Sequence, residues 1–334
     1  MNSTALNRLR AWMAEQGLEH IFIQQPENFA WLTEGGENTV VVFRPVGAAL
    51  EVTPHTVRLH SSSIEAARLL DEEVGDLEVV RYPWYAPFPP SGPNDSTYNL
   101  TALRLVLSPT EQERYRILGQ ETALALGESV RSANPDWSEY ELAAAISKEL
   151  LAKGIQPLVL LVAGEERVFR YRHPVPKQRP LGRLFMAVVC GRRQGLVVSA
   201  TRLRSFGHPQ AQHLNQQVCQ IEAAMLNASQ PGATLDEVLG QTRAAYAAVG
   251  RAEEFENHHQ GGITGYKSRE VLAVPGQETR LEPGMALAWN PSLPGGKVED
   301  TFLLTEAGLE NLTADPNWPT LKIEGRLRPM VYKD

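Results

Sequence analysis

Five prolines, at positions 83, 87, 89, 90 and 93, fall between Tyr82 and Leu100. Each one fixes φ and removes a backbone donor, so neither a helix nor a central strand survives at that density. The stretch divides the chain. With 334 residues, the sequence is too long for one average domain. The reading is a small α/β domain over residues 1–105, closed by a proline-rich ordered loop or linker (82–100), and a larger domain over residues 106–334. Apolar residues make up 43% of the chain, enough for a core in each part and too many for large-scale disorder.

In the first part, Leu6, Leu9, Trp12 and Met13 mark an amphipathic helix and His20–Gln24 a strand. Thr39–Phe43 and Leu77–Tyr82 read as further strands and Ser62–Leu70 as a helix. In the second, Ser108-Pro109-Thr110-Glu111 opens a helix running to about Ser132, with serine as cap, proline at the first helical position and an acid in the first turn. Ser138 and Glu141 have capping-box spacing ahead of a helix that ends before Gly154. Strands follow at Leu158–Val162, Leu184–Cys190 and Leu196–Thr201, the last two joined by a turn over Gly191–Gly195. Helices over Ala211–Gln230 and Leu235–Val249 come next, then strands near Glu270–Ala273, Ala286–Trp289 and Asp300–Leu304. Helices and antiparallel-looking strands without regular βαβ alternation define an α+β class.

The net charge of -7 argues against a general nucleic-acid binder. Charge is uneven, however. Glu165–Arg204 holds ten Lys/Arg against two Asp/Glu, a local balance of +8. Such a zone either pairs with acidic side chains elsewhere or faces an anionic ligand. Two cysteines, Cys190 and Cys219, do not make a disulfide framework. No leader-like or membrane-length apolar run is present, so a soluble cytoplasmic protein with no membrane partner is expected. No phosphate-binding loop, dinucleotide fingerprint or nucleophile elbow occurs, so no cofactor is expected.

Four segments in one order carry a resemblance. The first is Gln25-Pro26-Glu27-Asn28-Phe29-Ala30-Trp31-Leu32-Thr33, and the second runs from Val188 through Gly195 to Ser199-Ala200-Thr201-Arg202. The third is His258-His259-Gln260-Gly261-Gly262-Ile263-Thr264-Gly265-Tyr266. The fourth is Gly284-Met285 through Asn290-Pro291 to Gly296-Lys297-Val298-Glu299-Asp300-Thr301. Together they resemble the creatinase/prolidase/aminopeptidase P family over most of the chain. That resemblance implies a pita-bread second domain, a creatinase-type first domain and a homodimer.

The family holds two divalent metals on two Asp, one His and two Glu, a set of hard ligands that neutralises two adjacent dications. The resemblance places those five positions on Val188, Ser199, Gly262, Asn290 and Glu299. Only Glu299 keeps the ligand, so no metal is expected. His258 matches an upstream family histidine, and Arg269 stands where a second substrate-handling histidine is common. A third family histidine aligns with Tyr171, and a two-residue slip would bring His173 there. Catalysis, if retained, is expected from His258, Glu299 and His173, with His259, Tyr266, Arg269, Asn290, Arg202 and Lys297 binding substrate. Arg170 and Arg172 either share the cleft or pair at the surface. Adjacent histidines on a strand point to opposite faces, so only one of His258 and His259 is expected to enter the cleft. Glu299 is read either as an ion pair with Lys297 or as a general base.

Two functions follow. One is a metal-independent hydrolase of a small carboxylate-bearing C–N substrate, for which the metal-free family member creatinase is the precedent. The other is a non-catalytic relative that binds a small-molecule or dipeptide-like ligand, or a partner, in the old cleft. An Xaa-Pro dipeptidase with a rebuilt metal site is a third reading.

Overall fold

The computed structural model describes residues 1–41, 44–45, 47–86 and 91–333. It divides into two compact units, one of Met1–Ser108 with Gln194–Leu196 and one of Pro109–Arg193 with Val197–Asp334.

In the first unit, helix α1 (Ser3–Glu15) starts where the Asn2 side chain accepts the Ala5 N–H, and it buries Ala5, Leu9 and Met13 at i, i+4 and i+8. Strand β1 (Ile21–Ile23) leads to α2 (Pro26–Thr33), which has proline in its first turn. Strands β2 (Ala48–Val52), β3 (Val57–Ser62) and β4 (Glu78–Tyr82) complete a sheet in the order β1-β2-β3-β4, with only the last pair parallel. The helix expected over Ser62–Leu70 starts later. Ser62 still donates its N–H to Gly47, extending strand pairing, and the helical turns begin at Ala66 and widen to a π-turn over Leu69–Val74. The strand expected over Thr39–Phe43 is seen as Thr39–Val41; Val42 and Phe43 lie outside the described residues. So do Pro87, Pro89 and Pro90 of the proline-rich stretch.

The end of that stretch is stitched to the first unit. Asn94 bridges Phe22, and the buried Asp95 carboxylate accepts the N–H groups of Gln24 (3.0 Å) and Gln25 (2.9 Å) and the Asn28 amide (2.9 Å). It is an ordered loop there, because only these donors satisfy a carboxylate removed from water.

In the second unit, α3 (Pro109–Ser132) precedes α4 (Glu139–Leu151), whose capping box of Ser138 and Glu141 is formed. Strands β5 (Gln156–Gly164), β6 (Leu184–Arg193) and β7 (Leu196–Ser205) make a three-stranded sheet. The turn between the last two narrows to Gln194-Gly195, both at positive φ, as a two-residue hairpin requires. Helices α5 (Ala211–Ala228) and α6 (Leu235–Ala248) follow, the second with a Thr234–Glu237 capping box. Strands β8 (Gly261–Thr264), β9 (Val271–Leu272), β10 (Ala286–Trp289), β11 (Asp300–Thr305) and β12 (Gly308–Asn311) form an antiparallel sheet in the order β9-β8-β10-β11-β12. The two sheets meet where Thr201 donates its N–H to Glu299 (2.9 Å), at the last family ligand position.

Behind that junction runs a buried ionic chain. Arg328, from the strand Arg326–Pro329, donates to Glu222 of α5 (2.7 Å) and to Asp300 of β11 (2.8 Å). The other Asp300 oxygen accepts from Arg202 (2.9 Å) and from the Thr313 hydroxyl (2.9 Å). Burial works against the Arg328 charge, but Glu222 and Asp300 outweigh it and hold the guanidinium protonated.

Much of the basic zone pairs with carboxylates: Arg167 with Glu139, Arg172 with Glu254, Arg193 with Glu121 and Arg202 with Asp300. Among the described residues, no helix is long and apolar enough to cross a membrane.

Candidate functional site

A cavity of about 250 Å³ opens in the second unit. One wall is apolar, with Val159 and Leu161 of β5 and Val188 and Cys190 of β6. The other carries His173, His259, Arg269, Asn290, Lys297 and Glu299.

Its charged centre is a buried triad. Glu299 is 2% exposed and sits 2.8 Å from an Arg269 terminal nitrogen and 3.1 Å from the Lys297 ammonium. Burial pushes the Glu299 carboxyl up, but Lys297 and Arg269 outweigh it and bring its pKa down to about 2. Glu299 is therefore an ionised structural partner of two cations at neutral pH. Of the two readings given to it, the ion pair is the one the geometry supports. The triad keeps a net charge of +1.

Three imidazoles gather beside it. His258 and His173 approach Nε2 to Nε2 at 3.1 Å, and the His258 and His259 rings lie 4.7 Å apart. Neither His258 nor His259 is on a strand. They lie in the connection between a 3₁₀ turn, Ala252–Asn257, and β8. The alternation expected of a strand does not apply there, and both rings turn toward His173. Burial and then the Lys297 charge push His258 down to about 2; burial and then Arg269 push His259 down to about 4. His173 is lowered by the same causes, burial first and then Lys297. All three rings are neutral at pH 7.

The histidines are held from behind. His258 Nδ1 is 3.1 Å from the Ser292 hydroxyl. Ser292 is fixed in turn by donating its N–H to the Tyr246 hydroxyl (3.0 Å), which itself donates to Gln260 (3.1 Å). Ser292 went unnoticed in the sequence; its place directly after Asn290-Pro291 was the available signal. On the floor, Ser199 lies 3.3 Å from the Cys190 sulfur and 3.4 Å from Arg269. Burial and then Glu299 raise the Cys190 thiol, which keeps it an inert wall residue.

His173, His258, His259, Arg269, Asn290, Lys297 and Glu299 thus come together. Arg202 and Tyr266 do not join them. Arg202 is adjacent to Thr201 on β7, and Thr201 directs its hydroxyl at Glu299 (3.2 Å). Strand alternation therefore sends Arg202 to the opposite face, where Asp300 and the Thr201 and Thr313 carbonyls accept from its two terminal nitrogens. Tyr266 is turned to α3, where its hydroxyl donates to Glu111 (2.7 Å). Arg172 is engaged by Glu254, and Arg170 lies over the Tyr171 ring.

The α+β architecture of two sheets and flanking helices defines a pita-bread protein of the creatinase/prolidase/aminopeptidase P type. The model of metallopeptidase family M24 matches residues 113–306, more than half of the chain, and the chain belongs to that family. It is 25% identical over 228 residues to the "Probable dipeptidase PepE" of Mycobacterium tuberculosis, a match covering 65% of this chain and 61% of that relative's length. Prolidase from Pyrococcus horikoshii superposes with a TM-score of 0.78 at 17% identity over 93% of this chain and 98% of that one. Dipeptidase PepE from Mycobacterium ulcerans gives 0.77 at 19% identity over 99% and 97%. The same fold occurs in the N-terminal domain of the FACT complex subunit SPT16 from chickpea, at a TM-score of 0.69, 12% identity and coverage of 93% and 96%.

The family name implies metal ions, and the residues present do not fit a pair of them. Val188 and Gly262 offer no donor, Ser199 and Asn290 offer neutral oxygens, and the sole carboxylate, Glu299, is already neutralised by two cations. Around Glu299 the net +1 of the triad opposes a pair of dications at these five positions. Restoring histidine at Gly262 is also obstructed. Its φ is 153°, and a Cβ there would lie 2.2 Å from the Val271 carbonyl oxygen.

Proposed function

We propose that this cavity binds a small ligand carrying both a carboxylate and an N–H group, such as an N-acyl amino acid or a dipeptide, and hydrolyses its C–N bond without metal. The observation that carries this reading is a pair of buried polar atoms on cavity-lining residues with no hydrogen-bond partner: Arg269 Nε, a donor, and Asn290 Oδ1, an acceptor. A buried polar atom without a partner costs about 1–3 kcal/mol, and a ligand that reached both atoms would recover that cost. Arg269 Nε calls for an anionic acceptor and Asn290 Oδ1 for a donor. The +1 triad favours the same anion.

Chemistry falls to the neutral His173–His258 pair. In the tautomer that directs Nδ1–H at the Ser292 hydroxyl, the Nε2 lone pair of His258 takes a proton from water as the water oxygen adds to the carbonyl or amidine carbon. The same proton then passes to the departing nitrogen as the C–N bond breaks. Glu299 takes no proton; it holds Arg269 and Lys297 in place.

A second reading, ligand binding without turnover, is supported by the silencing of Glu299 and of the Cys190 thiol, which leaves histidine alone to activate water.

The test is a turnover screen of dipeptides, N-acyl amino acids and creatine-like amidines with chelator-treated protein. Hydrolysis that survives chelation, falls about 10²–10⁴-fold in His258→Ala and shows a raised KM in Arg269→Met supports the first reading. Saturable carboxylate binding without turnover selects the second. Turnover that needs added manganese, cobalt or zinc overturns both.

A further inference from the structure

We propose that His173, His258 and His259 form a site for one zinc-class ion (Zn²⁺, Ni²⁺ or Cu²⁺), placed on the imidazole side of the cavity and independent of the family's carboxylate positions. One nitrogen from each ring lies within 4.8 Å of the others. The closest pair, the Nε2 atoms of His173 and His258, are 3.1 Å apart. Two imidazole nitrogens on a tetrahedral zinc at 2.0–2.1 Å lie about 3.3 Å apart. The separation of that pair is therefore within a few tenths of an ångström of the one a shared ion requires, and a nitrogen of the third ring lies within 4.8 Å of both.

A hydrogen bond between the two Nε2 atoms accounts for that pair alone. It leaves His259, whose Nδ1 is buried without a partner. An ion shared by the three rings accounts for the whole cluster. Imidazole donors suit zinc, nickel and copper and not magnesium or calcium, whose ligands are oxygens.

The supporting shell is present as well. The Ser292 hydroxyl lies 3.1 Å from His258 Nδ1, within reach to accept its N–H in the tautomer that leaves Nε2 free for the ion, and the Tyr246 hydroxyl accepts the Ser292 N–H. Lys297 and Arg269 face the same space and oppose the ion, with Glu299 offsetting one of them. That residual charge sets the affinity below that of a closed structural zinc site. It also couples the ion to an anion. Three protein ligands leave a fourth position open, and a carboxylate reaching it from the cavity would neutralise Lys297 and Arg269 at the same time. Ion and carboxylate ligand are expected to bind each other's complexes more tightly, by the same factor in both directions. Because the ion occupies the lone pair assigned above to proton transfer, zinc lowers any metal-free turnover.

The experiment is equilibrium dialysis of the chelator-treated full chain against Zn²⁺, with metal content read by mass spectrometry and Co²⁺ absorption as a second readout. One equivalent of zinc is expected, with micromolar affinity and no uptake of Mg²⁺. The visible Co²⁺ bands should be those of a tetrahedral nitrogen-ligated ion. His173→Gln and His259→Gln, at an exposed and a half-buried position, should keep the parent melting temperature and each weaken zinc at least about tenfold. Added acetate or N-acetyl amino acid should tighten zinc. Zinc uptake unchanged in the His173→Gln/His259→Gln double variant would assign the ion to surface histidines and overturn the proposal. So would absence of uptake, or uptake of two ions that disappears in Glu299→Gln. Failure of the hydrolase reading leaves this measurement untouched, since none of its readouts is turnover.

Discussion

Glu299→Gln removes one negative charge from between two buried cations and keeps the shape of the side chain. Glutamine at this position mimics a protonated Glu299, so the stability lost at neutral pH equals the free energy of protonating the native carboxyl against the unfolded one. The native pKa is about 2 and the ordinary value 4.5. At about 1.4 kcal/mol per unit, that difference corresponds to roughly 3 kcal/mol. The same order, about 3–5 kcal/mol, is typical of removing one member of a buried ion pair. For a unit of this size it should lower Tm by about 6–12 °C. The sign with pH follows from linkage. A carboxyl with a depressed native pKa contributes fully above its unfolded value and loses that contribution as pH falls toward the native one. The gap between parent and variant should therefore be constant from pH 7 to about 5 and shrink below pH 4.5. Anion affinity should move the other way. The local charge rises from +1 to +2, so N-acetyl amino acid binding should strengthen in the folded variant. Urea melts at several pH values and ligand titration read both effects. A stability loss under about 1 kcal/mol, or a loss that does not vary with pH, would refute the ionised triad.

Two further substitutions separate site from scaffold. Gly262→His, which restores the family residue, should lose about 3 kcal/mol or more by urea melt and gain no two-ion binding, because φ of 153° and the Val271 carbonyl oxygen oppose any Cβ; full stability with two bound ions would contradict this. Arg202→Met should cost about 3 kcal/mol by leaving the Thr201 and Thr313 carbonyls unpaired, yet change ligand affinity in the folded fraction by less than about twofold; the reverse pattern would return Arg202 to the cleft.

The fold was legible because its markers act locally. Proline at the start of α3, the Ser138–Glu141 and Thr234–Glu237 boxes and the Gln194-Gly195 turn each act within a few residues, and the motif order supplied the topology. Which side chains meet was only partly legible. Arg202 was a readable error, since strand alternation from Ser199 and Thr201 already sends it away from Glu299. The convergence of His258 and His259 was not readable, because it depends on a 3₁₀ turn that precedes them and on Ser292 arriving from another segment. Tyr266 sits inside a motif, but its direction is decided by Glu111, 155 residues away. The Arg269–Glu299–Lys297 triad was half visible: Lys297 shares a segment with Glu299, whereas Arg269 comes from the β8–β9 connection.

The Arg328 guanidinium carries a consequence for how the second unit acquires its structure. Glu222 lies 106 positions earlier in the chain and Asp300 lies 28 earlier. During synthesis Glu222 emerges well before the arginine that pairs with it, and a carboxylate does not tolerate a dry interior alone, whereas Asp300 already has Arg202 beside it. The helix bearing Glu222 can form early, but its docking must wait. Completion of this half of the protein is thereby expected to wait for its last strand, Arg326–Pro329.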